Sequence, residues 1–88
     1  MPYISQEERK KLIPAILQLH TDLSINGNKK GNLNYAITKL AHLHLEKVGK
    51  KYDTLSDIHG VLCDVVKEFY RKVVVPYEDE KEKINGEV

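Results

Sequence analysis

Apolar residues recur along this chain at the three-to-four-residue spacing of helices, in three separate runs. In the first, Leu12, Ile13, Ile16, Leu17, Leu19 and Leu23 share one broad face of a wheel turning about 100° per residue. Ser5 followed by Glu8 reads as a capping box at its start, and Glu7 and Glu8 sit in the first turn, where the helix dipole favours negative charge. Pro14 falls opposite the apolar face. It removes one backbone bond on the solvent side, which predicts a kink rather than a stop. The stretch "NGNKKGN" (26–32) is rich in residues that tolerate positive φ and reads as a loop.

The second run places Leu33, Ile37, Leu40, His44 and Val48 on one stripe flanked by Ala36, Ala41 and Leu43. Asn32 is the expected N-cap and Gly49 the expected residue just past the C-terminus. Tyr35, Thr38, Lys39, His42 and Glu46 occupy the other face. Thr54 and Asp57 resemble a third cap. Beyond them Leu55, Ile58, Leu62, Val65, Val66, Phe69 and Val73 form a long stripe, widened by Val61, Tyr70 and Val74. A face this wide predicts contact with more than one neighbour. Pro76 reads as the end of this helix and the start of another, since its missing N–H is not needed in a first turn. Glu78, Asp79 and Glu80 follow in that turn, then lysines, then Asn85-Gly86 as a terminator. The expectation is an all-α fold: a three-helix bundle with a kinked first helix and a long third helix, plus a short C-terminal helix. Residues 1–75 form the body and 76–88 an acidic arm.

Size changes this picture. A chain of 88 residues buries only about 60–65% of its unfolded surface when it folds alone, so a lone copy is marginal. Cys63 is the only cysteine, which excludes an internal disulfide and a thiolate-rich zinc site and fits a reducing compartment. Self-association remains as the support for so small a core, and a homo-oligomer, most simply a dimer joined through the third helix, is expected. The polar start "MPYISQEERKK" has no signal-like apolar segment, and no stretch approaches the ~18 apolar residues of a membrane span. A soluble, cytoplasmic protein with no membrane partner is the reading.

Charge is divided along the chain. Residues 1–75 hold twelve Lys or Arg against eight acids, and residues 76–88 hold five acids against two Lys, within a net charge of +1. The basic residues are dispersed rather than gathered on one stripe, which argues against nucleic acid as a partner.

Candidate chemistry is sparse. His42 and His44 stand about 200° apart around a helix and cannot chelate one ion from a regular helix. The chain has no HExxH, no CxxC and no phosphate-binding glycine loop. No metal, cofactor or catalytic residue is therefore assigned. His20 and His44 fall within apolar faces and read as core imidazoles with hydrogen-bond partners. His42 could pair with Glu46, and His59 with Cys63, each four residues apart; neither pair has a nucleophile and oxyanion site beside it. A hydrolase built on His42 and Glu46 is the least favoured reading.

The segments "GNLNYAITKL", "GVL" and "EFYRKVVVPYEDEKEKINGEV" resemble a family of small uncharacterised helical proteins of bacteria and their phages. Its members show an N-Y-x-I-T motif, a G-V-L triplet and a Y-R-x4-P-Y-E-D-x-K-x3-N-G ending. The resemblance runs from "MPYI" to the end of the chain. It highlights Asn34, Tyr35, Thr38, Gly60, Tyr70, Arg71, Pro76, Tyr77, Glu78, Asp79, Lys81, Asn85 and Gly86. It implies a small protein, in some cases phage-encoded, that works by occupancy.

Two non-catalytic functions follow as expectations. In the first, copies enclose and sequester a nucleotide-type signalling molecule at a subunit interface, with Asn34, Tyr35, Thr38, His42, Tyr70, Arg71 and Tyr77 supplying stacking faces and polar donors. In the second, the protein inhibits or adapts a host protein through its acidic arm, with Glu78, Asp79, Glu80 and Lys81 in contact with the partner.

Overall fold

The computed structural model describes residues 3–88, so Met1 and Pro2 of the "MPYI" stretch lie outside it. The described chain is all-helical. Helix α1 spans Gln6–Ile25, α2 Lys30–Val48 and α3 Tyr52–Phe69; a π-helical turn, Tyr70–Val74, then leads into α4, Val75–Asn85. Physically there are three helices, because α3, the π turn and α4 form one rod. At 1.5 Å per residue the rod measures about 50 Å, which matches the longest dimension of the molecule, 50 Å.

The caps explain where α1 begins and ends. Ser5 is extended (φ −61°, ψ 157°) and its side chain accepts a bond from the Glu8 N–H at 3.2 Å. The helix runs unbroken through Pro14. At its end the backbone N–H and the side-chain amide of Asn26 both donate to the Asp22 carbonyl, at 3.2 and 2.9 Å. Gly27 and Asn28 then take left-handed φ values of 84° and 52° and reverse the chain.

That reversal is tighter than the sequence predicts. Helix α2 begins at Lys30 behind Lys29, which makes no side-chain cap bond, so Asn32 lies inside the first turn rather than capping it. Gly49 closes α2 at φ 109°, its N–H donating to Leu45 O at 2.8 Å, as a residue without Cβ can do cheaply. Helix α3 also starts early, at Tyr52. Thr54, read from the sequence as a cap, sits in the first turn and is 7% exposed, the one buried residue among those described.

Pro76 does not stop the third helix. Val74 (φ −69°, ψ −49°) and Val75 (φ −61°, ψ −50°) keep helical backbone, although a residue before proline is biased away from it. The missing Pro76 N–H would leave a carbonyl one turn earlier without its partner. The ladder shifts instead: Val75 N–H donates five residues back, to Tyr70 O. The expected short C-terminal helix is thus the last part of a long one, ended by Gly86 at φ 84°.

Packing between helices is slight. Residues Ala41, His42 and Leu45 of α2 face Leu55, Ile58, His59 and Leu62 of α3 across a small apolar cavity of about 190 Å³. The Tyr3 hydroxyl donates to Glu68 of α3, tying the start of α1 to the middle of the rod. No hydrophobic side chain among the described residues is buried. The radius of gyration is 16.5 Å, against about 12 Å for a compact domain of this length. The single chain exposes 8083 Å², about 2,800 Å² more than a compact monomer of its mass. The described residues of one chain therefore hold three apolar helix faces and no buried core.

Candidate functional site

The residues singled out by sequence fall into three places. The first is the π turn and the start of α4. Tyr70 and Tyr77 line one open cleft of about 490 Å³, together with Glu78, Asp79, Lys81 and Glu82. Three carboxylates against one ammonium make this cleft acidic. Lys81 Nζ lies 5.6 Å from the centroid of the Tyr77 ring, within range of a cation–π contact. Arg71 turns away to Glu68, Nη2 to Oε2 3.6 Å. An exposed pair of this kind contributes only about 0–1 kcal/mol. Its effect here is geometric, because Glu68 holds Arg71 and the Tyr3 hydroxyl at once.

Sequence reasoning missed Tyr3 and Glu68 as a pair. They are 65 residues apart, and nothing local in either stretch announces the contact. The hydrogen bond to the Glu68 carboxylate, reinforced by loss of water and by its negative charge, raises the Tyr3 phenol above the ordinary tyrosine value of 10.0; Arg71 works in the opposite direction. Tyr3 therefore remains protonated and able to donate throughout the neutral range.

The second place is the first two turns of α2. Lys30, Gly31, Asn34, Tyr35 and Thr38 line an open cleft of about 520 Å³. The Thr38 hydroxyl and Asn34 Oδ1 are 3.3 Å apart, an i,i+4 bond across one turn. Tyr35 is 67% exposed and also borders the groove between α1 and α2, where Leu19, Leu23, Leu40 and Leu43 meet Asp22, Asn26, Asn32 and Lys39. This end of α2 carries no acid in its first turn. The positive end of its dipole is left open to solvent and flanked by Lys29 and Lys30.

The third place is the seam between α2 and α3. His42 lines the apolar cavity there with His59 and, among the described residues, makes no ion pair or hydrogen bond with Glu46. Cys63 Sγ lies 3.8 Å from His59 Nδ1. Both His20 and His44, read as core imidazoles, are exposed in the single chain, because the faces they share are uncovered. Gly60 likewise faces open space. No group of three potential metal ligands occurs among the described residues, and none of their helices is long and apolar enough to cross a membrane.

Fold and sites together define a small all-helical protein whose residues of interest are surface groups on helices rather than a closed pocket. The chain belongs to the family described as Domain of unknown function (DUF6899), whose sequence model matches residues 1–88. Neither the curated proteins nor the solved structures include one that matches it.

Proposed function

We propose that this is a small non-catalytic binding protein that works as an assembly of its own copies and makes its contacts with a host protein through the acidic end of the long helix. One observation carries this reading: the chain presents its apolar faces and its charged arm on the outside, with no hydrophobic side chain buried among the described residues. A second copy completes the helical bundle that one chain leaves open. The arm, Glu78, Asp79, Glu80 and Lys81, then projects as the last turns of a stiff rod rather than as a loose tail. A rigid helix loses little conformational freedom on binding, which favours a specific contact. Pull-down from host lysate tests this, with the arm intact and with Glu78, Asp79 and Glu80 changed to Gln, Asn and Gln. Loss of a discrete partner on neutralisation is the expected result, and an unchanged set of partners removes the arm from the function.

A second reading is favoured by the geometry of α2. Asn34, Tyr35 and Thr38 sit beside Lys30 at a helix start without side-chain cap or acid. An aromatic face next to cations and free backbone N–H groups suits a nucleotide-type ligand. The cleft of Tyr70 and Tyr77 suits one less, since Arg71 is engaged by Glu68 and acids dominate there. Calorimetry with a panel of cyclic and linear nucleotides decides it. Heat of binding that is lost in Tyr35→Ala supports sequestration, and no heat at tens of micromolar contradicts it.

A further inference from the structure

We infer that the long helix is itself the dimer interface, pairing with the same helix of a second copy along a seam that the π turn keeps in register. This rests on the self-association proposed above and specifies where it occurs. Leu55, Ile58, Leu62, Val65 and Phe69 step along the rod by three, four, three and four residues, the alternation that keeps apolar side chains facing a partner helix. Continued unchanged, that alternation would next select Lys72, Pro76, Asp79 and Lys83, which are unsuited to a seam. Displaced by one residue, the same frame selects Val73, Tyr77, Glu80 and Ile84, apolar at every position but Glu80.

The displacement coincides with the π turn. Tyr70–Val74 is closed by the bond from Val75 N–H to Tyr70 O, five residues back instead of four. A π turn accommodates an extra residue within an otherwise α-helical ladder. The extra residue in the seam and the extra residue in the backbone thus fall at the same place, although one is read from side-chain chemistry and the other from hydrogen bonds.

The seam is uncovered where it leaves α2. Val65 is 48% exposed, Phe69 58%, Val73 50% and Ile84 67%. Its occupant is a second copy for two reasons. The excess surface of about 2,800 Å² per chain exceeds the roughly 800 Å² per partner of a standard interface and falls in the range of obligate dimers. The net charge of +1 leaves copies free to approach without mutual repulsion, and a seam that continues along one helix complements itself in a two-fold pair.

Cysteine cross-linking tests the arrangement. In a Cys63→Ala background, Val65→Cys, Val73→Cys and Ile84→Cys are mixed in equal amounts, so that parallel and antiparallel pairings are both sampled, and oxidised under native conditions. Disulfide-linked dimers are expected in about tenfold greater yield than from Lys72→Cys, or than between seam variants and Leu17→Cys of α1, because only facing Cβ atoms come within bonding range. Preferential linkage of the seam to Leu17→Cys, or equal linkage at Lys72→Cys, overturns the seam and leaves self-association standing. A chain that sediments as a folded monomer and gives no linkage overturns both. Deleting Lys72 supplies an independent variant. It removes the extra residue from the seam and from the backbone together, so Val73 and Tyr77 fall into the unbroken alternation after Phe69 and self-association persists with helix content retained; a weakening of about tenfold or more contradicts the role given to the π turn.

Discussion

Ser5 and Tyr3 show how single side chains fix the start of this molecule. Ser5 supplies one of the acceptors that the first turn of α1 lacks, so Ser5→Ala is expected to lower stability by about 1 kcal/mol in urea unfolding. No change would mean that the cap is not used in solution. Tyr3 reaches across to Glu68, and its phenol is held above 10.0 chiefly by that hydrogen bond. The sign of the pH dependence follows. A raised folded-state value means that the contribution is complete below the unfolded tyrosine value and is lost as pH rises through the folded one. Wild type should therefore show a tyrosine transition above 10.0 in absorbance at 295 nm that Tyr3→Phe lacks. Identical titration curves would remove the tether. Ser5 was legible in the sequence because a cap and its acceptor lie three residues apart. Tyr3 was not, because its partner is chosen by how α1 and the rod meet.

At the scale of elements, helix positions follow from apolar spacing, while proline is where local rules were overruled. Pro14 lies inside α1 without ending it. Replacing it by Ala restores an N–H in a helix interior and is expected to stabilise the protein by up to about 3 kcal/mol; a loss of stability would show that the proline shapes a needed bend. Pro76 reads as a boundary in sequence, since the residue before it should leave the helical region. The structure keeps Val75 helical and absorbs the missing donor in a π turn. Helix starts shifted for a related reason. Gly27 and Asn28 turn the chain with two left-handed residues, so α2 begins ahead of Asn32. The candidate ligand residues were legible only as a set of types. Their division among the π turn, the start of α2 and the α2–α3 seam depends on packing that no local pattern encodes.

For the molecule as a whole, the decisive quantity is the surface left uncovered. Apolar residues make up 41% of the chain, yet none of those described is buried in a single copy. Folding must offset roughly 1–2 kcal/mol of backbone entropy per residue, and burial of apolar surface is the main term able to do so. Most of a helix's stability in a protein comes from packing of its apolar face rather than from intrinsic propensity. Folding and assembly should therefore be one event, with stability that depends on protein concentration. Sedimentation velocity combined with circular dichroism over a dilution series tests this most directly. The expected result is a dimer or larger assembly at high concentration whose mass and helix content fall together on dilution. A monomer that keeps its full helix content and unfolds cooperatively at the lowest concentration would contradict the account.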